Sequence, residues 1–371
     1  MRPARSPVLW FFVLTYAISV VGMCVLYLYL ARRLPGWTWL PYAPYLTGTG
    51  PSLAGLLMTL CLYGLAGIRR LAFQLSPWSV GGAWLVLLLL AICLLMQLKV
   101  VFPVLVLASL VGLLIVLCLH GRAGIRRLAF HLRTWLLGQG WPVLAFCLLL
   151  LPGVTFLNFQ VRAMFGEAVP PLSPGWLKDY LYVAVIGQGF IGAGLFEEIG
   201  WRGFALPYLQ RRYSALVSSL IIGVVWACWH IQNYFALDPF PVFVDPFPWT
   251  EVAVLVLGGM LYSVFITWVY NSTGGSLFAV VLLHGTSIAV GKIFSRNDQP
   301  QQSAIPQWLG MLLELLPYLV IAVGLVWRYG AANLTWRDRV VAEPPNQRLK
   351  LTGAAILVLC ASTSLQAAPA A

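Results

Sequence analysis

The sequence predicts an all-α fold, a polytopic transmembrane helix bundle of about ten spans with short amphipathic helices at the membrane surface. Three observations carry this. Of 371 residues, 60% are apolar and 9% are charged, against roughly 45–50% and about 25% in a soluble domain. So few charges could not cover a water-facing surface. Apolar runs of about 20 residues, enough to cross a hydrocarbon core, recur along the chain. The 23 Lys and Arg outnumber the 11 Asp and Glu and cluster between those runs, as basic residues do in cytoplasmic loops. The same numbers exclude a soluble enzyme and low-complexity disorder. No basic domain exists that could host a nucleic acid.

The first run, Val8–Ala31, follows a basic start but exceeds a signal-peptide core of about 7–15 residues. It lacks a small-residue cleavage site and reads as the first span. The others cover roughly 43–64, 81–98, 101–119, 141–159, 180–199, 214–236, 251–271, 276–294 and 307–327. With ten spans, Arg69 and Arg70, then Arg122, Arg126, Arg127 and Arg133, then Arg202, Arg211 and Arg212, and finally Arg328, Arg337 and Arg339 all fall on one side. The loop 237–250, with Asp238 and Asp245 and no basic residue, falls on the other. Both termini are then cytoplasmic, with Arg32 and Arg33 breaking the rule. Seven cysteines lie singly in apolar runs and read as buried small hydrophobes, neither disulfides nor metal ligands.

Residues 52–75 and 109–132 match at 18 of 24 positions, a tandem duplication of a span plus the element GxxGIRRLAF. Paired arginines on one side and Leu and Phe on another make that element an amphipathic anchor at the membrane surface. The end of the chain, from Pro344, is too short in apolar residues to span and is expected to be disordered.

Ionisable residues inside the spans carry the functional signal. A charge at the bilayer centre costs about 2.5–3.5 kcal/mol on insertion scales, and such residues face a bundle interior or a water-filled cavity. Most acids fall in loops or at span edges; Glu197, Glu198 and Glu314 sit in apolar surroundings, as do His230 and His284. On a helix, Glu198 and Arg202 share a face at a spacing that favours an ion pair. Glu197 points about 100° away and has no partner in this reading, which makes it a candidate general base or acid. Three chemistries fit: hydrolysis with a glutamate base and histidine support, a metal site, or a proton relay. HExxH, the common zinc-protease helix, is absent, and no aspartate lies in a span. A transporter normally repeats across both halves of the chain, whereas the repeat here is confined to the N-terminal part.

The run Glu197-Glu198-Ile199-Gly200-Trp201-Arg202 resembles the EExxxR motif of the CAAX-prenyl-protease and bacteriocin-processing family of intramembrane endopeptidases, also called CPBP or Abi. Trp226-Ala227-Cys228-Trp229-His230 resembles its second motif, an aromatic residue four before a histidine. Asn271-Ser272-Thr273-Gly274-Gly275-Ser276 leading to His284 resembles the third. The closely similar part covers about 180–294. It organises the chain into N-terminal spans with the duplicated unit (1–140), a catalytic membrane core (141–330) and a cytoplasmic tail (331–371).

The resemblance implies an integral membrane protease of a bacterial plasma membrane, acting on a membrane-bound or lipidated protein, with prenylated CAAX-type substrates in part of the family. It implies that Glu197 activates water, Glu198 and Arg202 support it, and His230 and His284 orient the water or stabilise the oxyanion. No cofactor is certain. If a divalent metal such as zinc takes part, Glu197, His230 and His284 are its candidate ligands. One position departs: the family has an asparagine four residues after the third-motif histidine, and here that residue is Ile288. Thr286 or Ser287, neither of them one helical turn on from His284, and Asn233, near His230, are the candidate polar replacements. One missing oxyanion donor is worth about 10²–10³ in rate. The departure motivates a second reading, an inactive relative serving as a bacteriocin-immunity or scaffold protein.

Overall fold

A computed structural model describes residues 7–30, 47–75, 140–167, 169, 172, 174–236, 242–243, 248–294 and 305–336. They form an all-α bundle of eight principal helices: α1 (Pro7–Leu30), α2 (Gly50–Leu75), α3 (Gly140–Ala163), α4 (Trp176–Leu209), α5 (Ala215–His230), α6 (Trp249–Ser272), α7 (Leu277–Phe294) and α8 (Gln307–Tyr329). A two-residue antiparallel ladder, Phe235–Ala236 with Val242–Phe243, lies between α5 and α6. Six of the helices are long and apolar enough to cross a membrane, and α5 and α7 are shorter apolar helices. These eight correspond to eight of the ten expected spans. The runs 81–98 and 101–119, the second repeat copy 109–132, and the chain from 337 on lie outside the described residues.

The bundle has an apolar core with buried hydroxyl groups at its helix contacts, and its outer faces are apolar as well. On α1, Thr15 and Ser19 are fully buried while Val20 and Val21 are exposed. Membrane helices associate through small and hydroxyl residues because lipid is as apolar as leucine. The interhelical bonds follow that logic. Tyr16 Oη donates to the Val225 carbonyl at 2.8 Å, Ser52 Oγ to that of Leu195 at 2.8 Å, and Trp229 Nε1 to Ser19 Oγ at 2.9 Å.

Two details differ from the sequence expectations. Among the described residues Cys24 is exposed on α1, Cys147 alone is buried, and Cys61 and Cys228 are half-buried; these four are free thiols. In hydrocarbon an outward thiol costs little, so burial is not required of it. The second concerns Arg202, expected in a loop between spans. The helix runs through it to Leu209, and Arg202 is 2% exposed. A paired guanidinium can remain in the bundle where a lone one could not.

The helix α4 is not a regular rod. It holds π-helical stretches at Tyr182–Phe190 and Ile199–Ala205, with a break at Ile191–Gly192 between them. Such π segments often mark functional sites. The helix α2 is kinked at Gly64 (φ 60°, ψ −155°), where the duplicated amphipathic element begins. That element also docks on the bundle, with Leu71 buried and Gln74 Nε2 donating to Tyr270 Oη at 3.2 Å.

The hairpin α6–α7 sets the depth of His284. Its turn needs two consecutive left-handed residues, Gly274 (φ 72°) and Gly275 (φ 88°), a conformation open to glycine at little cost. Ser276 Oγ then caps α7 by accepting the Ala279 N–H at 3.2 Å. Two turns on, Gly285 lies directly against α4. A Cβ there would collide with the Ala184 carbonyl and stand 2.8 Å from Gly189 Cα.

Gly285→Ala should therefore destabilise the protein by about 1–3 kcal/mol, the usual cost of overpacking. Gly324→Ala on α8 meets nothing within 4 Å and should stay within about 0.5 kcal/mol of wild type. Unfolding in detergent micelles reads both.

Candidate active site

Adjacent glutamates on α4 reach different helices, because successive residues of a helix point about 100° apart. Glu198 turns toward α6 and α7. Its Oε1 and Oε2 accept from Arg202 Nη1 at 2.9 and 3.1 Å, and Oε1 also accepts from His284 Nδ1 at 2.7 Å. Arg202 Nη2 continues to Ser263 Oγ on α6 at 3.2 Å. All three charged or chargeable groups are buried: Glu198 0%, Arg202 2% and His284 3% exposed. A buried ion pair is tolerated when its geometry is good and its remaining donors and acceptors are engaged; the carboxylate here has three contacts.

Glu197 turns toward α5, and here the structure corrects the sequence reading. Glu197 is not unpartnered: its Oε2 accepts from Trp226 Nε1 at 2.6 Å. Trp226 is the hub of the site. Its ring lies 4.4 Å, centroid to centroid, from His230 and 6.2 Å from His284, edge-on to both. Sequence reasoning used Trp226 only as the aromatic position of a motif. Its indole N–H, together with a spacing of one helical turn to His230, is the signal that could have found this role. Ser263 and Tyr262 on α6 were missed as well, and no motif covers them.

The hydrogen bonds fix which ring nitrogens are available. His230 Nδ1 lies 3.0 Å from the Trp226 carbonyl, which can only accept. Nδ1 therefore carries the proton and Nε2 presents its lone pair. His284 Nδ1 donates to the Glu198 carboxylate, which leaves Nε2 as its reactive end. His230 is half-buried, and the other four site residues are buried.

The polar substitutes for the missing asparagine are engaged elsewhere. Thr286 Oγ1 donates to the Leu282 carbonyl at 3.0 Å and Ser287 Oγ to that of His284 at 2.7 Å. Ile288 is half-buried on the same helix, and Asn233 falls in the short 3₁₀ turn Ile231–Tyr234. Among the described residues, no group of three His, Cys, Asp or Glu side chains is placed to hold a metal ion. Glu197, His230 and His284 are not gathered as a three-ligand set in this arrangement, although each keeps one donor atom outside the bonds just described. One carboxylate oxygen of Glu197 is bonded to Trp226, and one nitrogen of His284 to Glu198.

Fold and site define a polytopic helical membrane protein with a buried carboxylate–histidine cluster. Residues 179–290 match the model of the family described as Type II CAAX prenyl endopeptidase Rce1-like, a segment holding all five site residues. Over 143 residues the chain is 27% identical to the CAAX prenyl protease 2 of Methanococcus maripaludis, covering 37% of this chain and 51% of that protein. The chain thus spans about half the length of the curated relative it matches. Both comparisons bear out the family resemblance read from the three motifs, and with the apolar helices they make this an integral membrane protein.

Arg202→Met tests the buried network. It leaves the Glu198 charge without its main partner and should cost about 3–5 kcal/mol. The loss should show as a lowered unfolding midpoint in detergent, and Glu198→Gln/Arg202→Met should recover part of it.

Proposed function

We propose that the protein is an intramembrane endopeptidase that hydrolyses a peptide bond in a membrane-bound or lipidated protein, with prenylated CAAX-type substrates the leading class. The observation that carries this reading is the cluster of two carboxylates and two imidazoles on α4, α5 and α7, buried except for the half-buried His230, within the segment that matches the Rce1-like endopeptidase family. The name of the Methanococcus maripaludis relative agrees with it.

In this reading a water sits between Glu197 and the Nε2 lone pair of His230. Glu197 takes its proton through the carboxylate oxygen not bonded to Trp226, and the hydroxide adds to the scissile carbonyl. His284, protonated on both nitrogens, donates Nδ1–H to Glu198 and Nε2–H to the developing oxyanion. Glu197 then returns the proton to the leaving nitrogen as the C–N bond breaks. Arg202 holds Glu198 in place. A catalytic group acts only when held within hydrogen-bond reach of its proton, so Trp226 serves as a positioning residue. The protein belongs in this reading to a bacterial plasma membrane, with its Arg211–Arg212 end cytoplasmic.

Ile288 favours a second reading, an inactive relative acting in immunity or as a scaffold. Both nearby hydroxyls are bonded to their own helix, so no donor replaces the asparagine from α7. A phenotype that survives Glu197→Gln but is lost when the bundle is destabilised would select it.

The deciding experiment compares wild type with Glu197→Gln at matched levels and maps new protein termini in the membrane fraction by mass spectrometry. Termini that appear only with wild type are expected; their absence, with both proteins folded and inserted, overturns the protease reading. Trp226→Phe keeps the ring and removes the N–H. A hydrogen bond to a charged group is worth about 1.5–3 kcal/mol, so cleavage of an identified substrate should fall roughly 10–150-fold.

A further inference from the structure

One ionisable group in the membrane-spanning region takes no part in the cluster. Glu314 lies in the apolar window Trp308–Tyr329 of α8 and is exposed on that helix. It makes no hydrogen bond or ion pair among the described residues. A carboxylate at such depth is expensive and needs a partner or a water-filled cavity. Glu314 sits at the wall of a cavity of about 220 Å³ between α5, α6 and α8. Trp226, Tyr262 and Tyr318 form a run of aromatic rings along it, with neighbouring centroids 6.3 and 6.2 Å apart. Gly258 and Gly259 line its α6 side, and Ser287 lines it near His284.

Three properties narrow the occupant. The volume is below the roughly 300–1,000 Å³ of a pocket for a whole small ligand, so it admits about one side chain. Three aromatic rings stand among its aliphatic lining, and aromatic rings attract cations. The only acidic group at the wall is a carboxylate with no cation of its own among the described residues. The cavity also borders the reaction centre, since Trp226 lines it and donates its indole N–H to Glu197.

We propose that Glu314, with Tyr318, Tyr262 and Trp226, is the subsite for a lysine or arginine side chain of the substrate peptide, close to the scissile bond. The proposal rests on the peptidase reading, and its test separates the two.

The full chain is reconstituted in nanodiscs in a Glu197→Gln background, so that binding is read without turnover. The probes are farnesylated, dansyl-labelled octapeptides that carry Lys, Gln or Glu at the positions flanking the prenylated cysteine. The Lys peptide should bind about tenfold more tightly than the Gln peptide, the effect of one charge-assisted contact. Glu314→Gln should erase that ratio, and Glu314→Lys should invert it toward the Glu peptide. Equal affinities in the Glu197→Gln protein, or a lysine preference that survives Glu314→Gln, overturn the subsite. So does a loss of thermal stability in Glu314→Gln with the ratio unchanged, which would make Glu314 a structural group. A lysine ratio that depends on Glu314, in a protein whose Glu197 form cleaves none of the peptides, sustains the subsite and counts against the peptidase.

Discussion

The ion pair between Arg202 and Glu198, extended to His284, is the constraint on which the rest of the core depends. It places a full positive and a full negative charge where neither is exposed by more than a few per cent. Such a pair persists through close geometry and the engagement of its other donors and acceptors; among the described residues Arg202 Nε alone of the pair's polar atoms has no partner. Each engagement fixes a helix. Ser263 ties the pair to α6 and His284 ties it to α7. The helix α4 must approach both closely, which is why glycine stands at 285. A pairing weak enough to allow drift of one ångström would leave a charge unsatisfied in a medium that cannot solvate it.

With Glu198 fixed in this way, the direction of Glu197 follows. One residue earlier on the same helix, it must face a different neighbour, and that neighbour is Trp226. The site therefore divides into a structural carboxylate held by charge and a second carboxylate held by one neutral donor. The first is locked by two partners, Arg202 and His284. The second keeps one carboxylate oxygen outside that bond. Trp226 joins the two halves because its ring also touches both imidazoles. Helical geometry alone thus gives neighbouring carboxylates different partners.

Much of this was legible in the sequence, for definite reasons. Apolar runs fix membrane helices because hydrocarbon tolerates nothing else, and eight of the ten expected runs correspond to helices. The Glu198–Arg202 pair was readable from a spacing of four. The break of α2 at Gly64 fell where the repeated amphipathic element begins. What the sequence concealed was long-range. The bond from Trp226 to Glu197 joins residues 29 apart on different helices, and that from His284 to Glu198 joins residues 86 apart. Neither leaves a periodic trace. The end of α4 was misread because arginine pairs ordinarily mark a helix exit, and only its partner reveals that Arg202 stays inside. Cys24 was misjudged because burial rules drawn from water do not hold for a lipid face.

The local pairing of Glu198 with Arg202 also bears on how the chain enters the membrane. Synthesis runs from the N-terminus, so α4 reaches the bilayer before α7 has been made; His284 follows Glu198 by 86 residues. Through that interval the carboxylate has no imidazole to share. An arginine one turn further along the same helix accompanies it from the start, so the segment partitions as a neutral ion pair rather than as a bare charge. The histidine contact belongs to assembly, when helices already in the bilayer find one another. Insertion and assembly are thereby separated in time, and the acidic group that the finished site needs never crosses the interface alone.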